Sequence, residues 1–117
     1  MKEELNLIED IWSEENVKQE ILNQVQSIAK LLIDKNKKYG NSALLPKRIF
    51  SHADPLEQIN VRIDDKLSRI ANQQANEDED AEFDLIGYLI LKRVLQSLRT
   101  KSIMQRTEPK EKTVING

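Results

Sequence analysis

The stretch VKQEILNQVQSIAKLLIDKNKKYG, residues 17–40, decides the fold. Within it Val17, Ile21, Val25, Ile28 and Leu32 recur at spacings of three and four residues. That spacing lines one face of an α-helix, because about 3.6 residues complete a turn. The start and stop are also written in the chain. Ser13 is an N-cap type, Glu14 and Glu15 follow in the turn where negative charge is favoured, and Gly40 is suited to end a helix in the left-handed conformation. A long first helix is therefore predicted to run to about Tyr39.

Reading outward, residues 2–12 suggest a short helix with Leu5, Ile8, Ile11 and Trp12 on one side. Downstream, residues 40–55 read as a loop punctuated by Asn41, Pro46 and Pro55, with a cap for the next helix expected within Ser51–Pro55. It is long for a connection between bundle helices, and long ordered loops are often functional. A second helix is expected from about Pro55 to Gln74, with Leu56, Ile59, Ile63, Leu67 and Ile70 as its apolar stripe. Residues 72–80 are polar and acidic. A third helix is expected from near Glu79 to about Leu98. Its run Leu85-Ile86-Gly87-Tyr88-Leu89-Ile90-Leu91 is apolar almost all round, which suits the middle of a bundle or an oligomer interface. Residues 99–117 hold five basic and two acidic residues and Pro109, and read as a solvated, disordered tail. The expectation is an all-α protein: a three- to four-helix bundle in one domain, residues 1–98, with a long loop between the first and second long helices.

Composition agrees. Charged residues make up 32% and aromatics 4% of 117 residues, with three glycines and three prolines, a helix-rich balance. The absence of cysteine excludes disulfides, zinc–thiolate sites and a cysteine nucleophile, and fits a cytoplasmic protein. A net charge of -2 provides no general attraction to nucleic acid. No apolar run approaches the roughly 20 residues a membrane span needs, and Met1-Lys2-Glu3-Glu4 is too polar and acidic for a signal peptide.

Helical geometry, at about 100° per residue, sorts the polar side chains. Asn36 and Tyr39 fall in line with the first stripe. An amide on a core face needs a hydrogen-bond partner, whereas Tyr39 reads equally well as an ordinary helix-end aromatic. On the second helix Lys66 lies beside the stripe and Arg62 and Arg69 lie further round the same flank, a basic strip that suits a phosphate. Solvated charges with an Asp65–Arg69 pair one turn apart are the plainer reading. Asp64 flanks the stripe on its other side. On the third helix Asp84 shares a face with Tyr88, Leu91 and Leu95, either as a structural acceptor or as a ligand to metal or substrate. Gly87 weakens a helix by about 1 kcal/mol relative to Ala, so close approach of a backbone or ligand is a reason for it. His52, the only histidine, has no identifiable catalytic partner, and no glycine-rich phosphate loop exists.

Three motifs, Lys35-Asn36-x-x-Tyr39-Gly40-Asn41-Ser42, Arg62-Ile63-Asp64-Asp65-Lys66-Leu67-Ser68-Arg69-Ile70 and Asp84-Leu85-Ile86-Gly87-Tyr88, resemble the phage and prophage family called nucleotide modification associated domain 1. The likeness spans about residues 17–98, and the family is similar in turn to the all-α nucleotide pyrophosphatases of the MazG type. The resemblance implies a helical domain and a nucleotide or nucleotide-derived ligand. Asn36, Tyr39, Asn41, Ser42, Arg62, Lys66, Arg69, Asp84 and Tyr88 are the candidate ligand-binding residues.

A MazG-type enzyme would need magnesium, for which Asp84, Asp65 and Asp64 are the candidate ligands. Here the chain departs from that pattern. Ala81 stands where a further Glu belongs, and Lys18 where the third acid after Glu14-Glu15 belongs. A two-metal hydrolase needs several inward oxygen ligands. The carboxylates are too few, and the basic strip favours an anion held directly by Arg and Lys. Three readings stand: a nucleotide-binding module that forms homo-oligomers, a magnesium-dependent pyrophosphatase, and a non-catalytic structural protein.

Overall fold

The structure, a computed structural model, describes residues 10–46, 49–72 and 80–107. Three helices carry the described chain: α1 (Glu14–Tyr39), α2 (Pro55–Ala71) and α3 (Ala81–Thr107). No strand occurs among the described residues. The chain groups into two compact units, Met1–Asn41 and Ser42–Gly117. Of the short helix expected over residues 2–12, the part before Asp10 lies outside the described residues.

The first unit is α1, and its ends are fixed by local chemistry. The Ser13 hydroxyl accepts a hydrogen bond from the Asn16 backbone N–H at 3.1 Å, satisfying one of the donors that a helix start leaves free. At the other end Gly40 adopts φ 59°, and its N–H donates to the Asn36 carbonyl. Lys37 and Lys38 occupy the last turn, where the helix dipole favours positive charge. The apolar stripe forms as read, but only Ile28 is buried, while Val17, Ile21 and Val25 keep 38, 58 and 57% of their surface exposed.

The second unit is built on a hairpin of α2 and α3. Asp54 caps α2 by accepting from the Leu56 N–H at 3.2 Å, and Pro55 opens the first turn, where no N–H is required. Asp80 does the same for α3, accepting from the Phe83 N–H at 2.9 Å. Ile59 and Ile63 of α2, Leu95 of α3 and Leu44 of the preceding loop form the buried cluster, with Leu56, Leu85, Tyr88 and Leu91 packed against it. Each of the four buried side chains contributes about 1.5–3 kcal/mol when taken from water, and the partly buried ones contribute less. The helices run antiparallel: Lys66, late in α2, meets Asp84, early in α3, while Asp54, at the start of α2, meets Arg99, late in α3. Gly87 is buried within the chain itself.

Two boundaries differ from the sequence reading. α2 ends at Ala71 rather than near Gln74, where Asn72 turns its backbone N–H back to Ser68 and Ile70. α3 runs on to Thr107, well past Leu98, so residues 99–107 are helix and not tail. Polarity alone does not stop a helix. Nothing between Leu98 and Thr107 lacks an N–H or favours positive φ, and Arg99 is held by Asp54. The rest of the expected tail, residues 108–117, lies outside the described residues.

Candidate functional site

The polar groups expected to share one site are partnered separately in the two units. In the first unit, the Asn36 side-chain amide donates to the Asn41 Oδ1 at 2.6 Å, and the Asn36 carbonyl also receives the Asn41 N–H at 3.3 Å. Asn41 follows Gly40 in the left-handed region with φ 62°, a conformation Asn tolerates better than most side chains. The amide that needed a partner on the core face therefore finds it five residues on, in the helix end itself. Tyr39 is 59% exposed, with the Lys38 ammonium 5.4 Å from its ring centre. That is the arrangement of a helix-end aromatic. In the second unit, Ser42 is exposed in a turn.

On the hairpin, Lys66 Nζ stands 3.3 Å from Asp84 Oδ2, with side chains 13% and 32% exposed. This ion pair has side chains more sheltered than those of the Lys30–Asp34, Arg69–Asp65 and Arg99–Asp54 pairs. It joins the two helices beside the apolar cluster that Tyr88 packs against. Arg69 Nε donates to Asp65 Oδ2 at 3.1 Å across one turn of α2. Arg62, on the same flank, is exposed and has no ion-pair partner among the described residues. Asp64 is exposed. The strip is thus graded: Arg62 open, Arg69 engaged on its own helix, Lys66 engaged across the hairpin.

The three carboxylates considered for magnesium take different roles. Asp84 faces Lys66, Asp65 faces Arg69, and Asp64 points to solvent. Among the described residues no three His, Cys, Asp or Glu side chains gather as a metal ion would require. His52 is exposed in the loop. No described helix is long and apolar enough to cross a membrane.

Sequence reasoning missed the clamp at the open end of the hairpin. Arg99 forms a two-pronged contact with the Asp54 carboxylate, through Nη1 and Nη2. The Asp54 hydrogen bond holds the guanidinium pKa above its ordinary value. A signal for it existed. The α3 positions that turn toward α2 are 84, 88, 91 and 95, and one more step of four reaches Arg99.

Searches against protein-family models, curated proteins and solved structures found no match to this chain. The likeness of its motifs to the nucleotide modification associated domain 1 family therefore stands as a proposal.

Proposed function

We propose that the α2–α3 hairpin binds a nucleotide or nucleotide-derived anion, of the kind used in phage nucleotide metabolism, base modification or capture of a signalling nucleotide. The observation that supports this is Arg62. It is a cation without a carboxylate partner among the described residues, and it lies on the flank of α2 that also carries Lys66 and Arg69. A guanidinium with free donors receives a phosphate through paired, charge-assisted hydrogen bonds. In this reading Arg62 makes the first contact, Arg69 extends it, and Lys66 with Asp84 and Tyr88 fixes the floor.

The same hairpin supports a second reading on a specific observation. Lys66 and Arg69 already have carboxylate partners, as ion pairs that only brace helices do. A thermal-shift screen separates the readings. Its panel holds nucleoside mono-, di- and triphosphates and cyclic nucleotides, each with and without magnesium. A ligand that binds only the folded state raises the melting midpoint by mass action. The binding reading expects a shift that survives a chelator, with affinity reduced about tenfold or more in Arg62→Ala, the loss of a charge-assisted hydrogen bond. A shift only with magnesium, accompanied by release of pyrophosphate, would instead make the protein a pyrophosphatase. No shift with any nucleotide, with Arg62→Ala and Lys66→Ala altering stability alone, would leave the structural reading.

A further inference from the structure

Outside the buried cluster, α3 carries an apolar row that winds from the side opposite α2 toward its flank and keeps much of its surface exposed. Ile86, Ile90, Val94 and Leu98 follow one another at steps of four and remain 43, 37, 37 and 49% exposed. Beyond Arg99, where α2 has already begun, α3 continues through Ile103 and Met104, which are 59 and 58% exposed. Isolated apolar residues at a surface need no explanation, but a continuous row along one helix marks a contact surface.

The charges on the same helix say what fits it. From Asp80 to Asp84 every charged residue is acidic, and from Lys92 to Thr107 every charged residue is basic: Lys92, Arg93, Arg99, Lys101 and Arg106. Asp84 and Arg99 are engaged within the hairpin, but Glu82, Arg93, Lys101 and Arg106 have no ion-pair partner among the described residues. Two such helices side by side in the same direction would set acid against acid and base against base. Reversed, each acidic start lies beside a basic end. The apolar row also reads onto itself when reversed, with Ile86 opposite Leu98 and Ile90 opposite Val94. Surfaces that match their own reverse form two-fold dimers, in which residue i meets j and j meets i.

We infer that α3 is the self-association surface of this protein, pairing antiparallel with α3 of a second copy about a two-fold axis near residue 92. The pairing covers the apolar row and sets the basic end of each α3 alongside the acidic start of the other. The inference does not depend on what the hairpin binds.

Because the chain has no cysteine, single cysteines introduced for spin labels report the geometry without background. Two labelled proteins are compared, Arg93→Cys and Gln105→Cys. At 1.5 Å per residue, antiparallel pairing separates the two copies of position 105 by about 40 Å along the helix. It brings the two copies of position 93 within about 10–20 Å, set by the distance between packed helix axes and the label arms. A parallel pair would give short distances at both positions and overturn the inference. So would a monomer by sedimentation at concentrations up to about 1 mM, a weak-dimer limit on the affinity scale. A third protein, Val94→Asp, is expected to weaken dimerisation by about 100-fold, as charging a central anchor does. Unchanged helical content in that variant, with unchanged dimerisation, would also overturn it. If that variant fails to fold, the two label distances decide alone.

Discussion

α1 and the α2–α3 hairpin are both helical, yet they are held by different means. α1 is specified by its ends and by contacts within itself: the Ser13 cap, the Gly40 and Asn41 stop, and the Lys30–Asp34 pair at 2.7 Å one turn apart. It buries one side chain, Ile28, along 26 residues. The hairpin gathers four buried residues from three segments and is tied by an ion pair toward each end. The contrast separates two kinds of information in a sequence. Local signals decide where a helix starts and stops, whereas tertiary contacts decide which faces matter and supply most of the stability.

The largest test of that contrast is a matched pair of truncations. Ile59→Ala in the hairpin cluster is expected to cost about 2–5 kcal/mol in chemical denaturation. Ile33→Ala on α1, at 66% exposure, is expected to stay within about 0.5 kcal/mol, as surface substitutions do. Equal losses would erase the distinction. Next comes the helix stop. A Cβ at Gly40 would meet nothing within 4 Å, so Gly40→Ala isolates backbone strain at φ +59°. A loss of about 1–2 kcal/mol is expected, and Gly40→Asn should recover part of it because Asn tolerates that conformation. A melting curve unchanged by Gly40→Ala would show that α1 does not need its local terminator.

A smaller effect is expected from the sheltered ion pair. Asp84→Asn should destabilise the protein by about 1 kcal/mol, and a double-mutant cycle with Lys66→Met should return a coupling of at least about 0.5 kcal/mol. A coupling of zero would mean that the pair marks the hairpin without holding it. The smallest effect is expected at the open end, where Asp54 and Arg99 are nearly half exposed. The melting difference between Arg99→Gln and the parent should shrink as salt is added, since exposed pairs are screened.

The split between local and tertiary information also explains what the sequence made legible. The bounds of α1, the Pro55 start of α2 and the inward placement of Asp84 and Tyr88 all follow from caps and spacing within one helix. Leu44 did not reveal itself as core, because no periodicity runs through a loop. The extension of α3 to Thr107 was hidden by reading polar composition as the end of structure, although the chain there is free of helix breakers. Asn36 was correctly marked as an amide in need of a partner. The identity of that partner depends on the left-handed turn at Gly40 and Asn41, a geometric fact that no residue pattern states.

The two bridges of the hairpin also set an order in time. Lys66 and Asp84 are close along the chain, whereas Asp54 and Arg99 stand 45 residues apart. Joining the nearer pair first and then zipping outward costs less chain entropy at each step than closing the long loop at once. Loop entropy alone therefore favours Lys66 and Asp84 meeting before Asp54 and Arg99 do. Asp54 both caps α2 and grips Arg99, so one side chain ties the start of α2 to the late part of α3, and in that order it would be the latch that closes last.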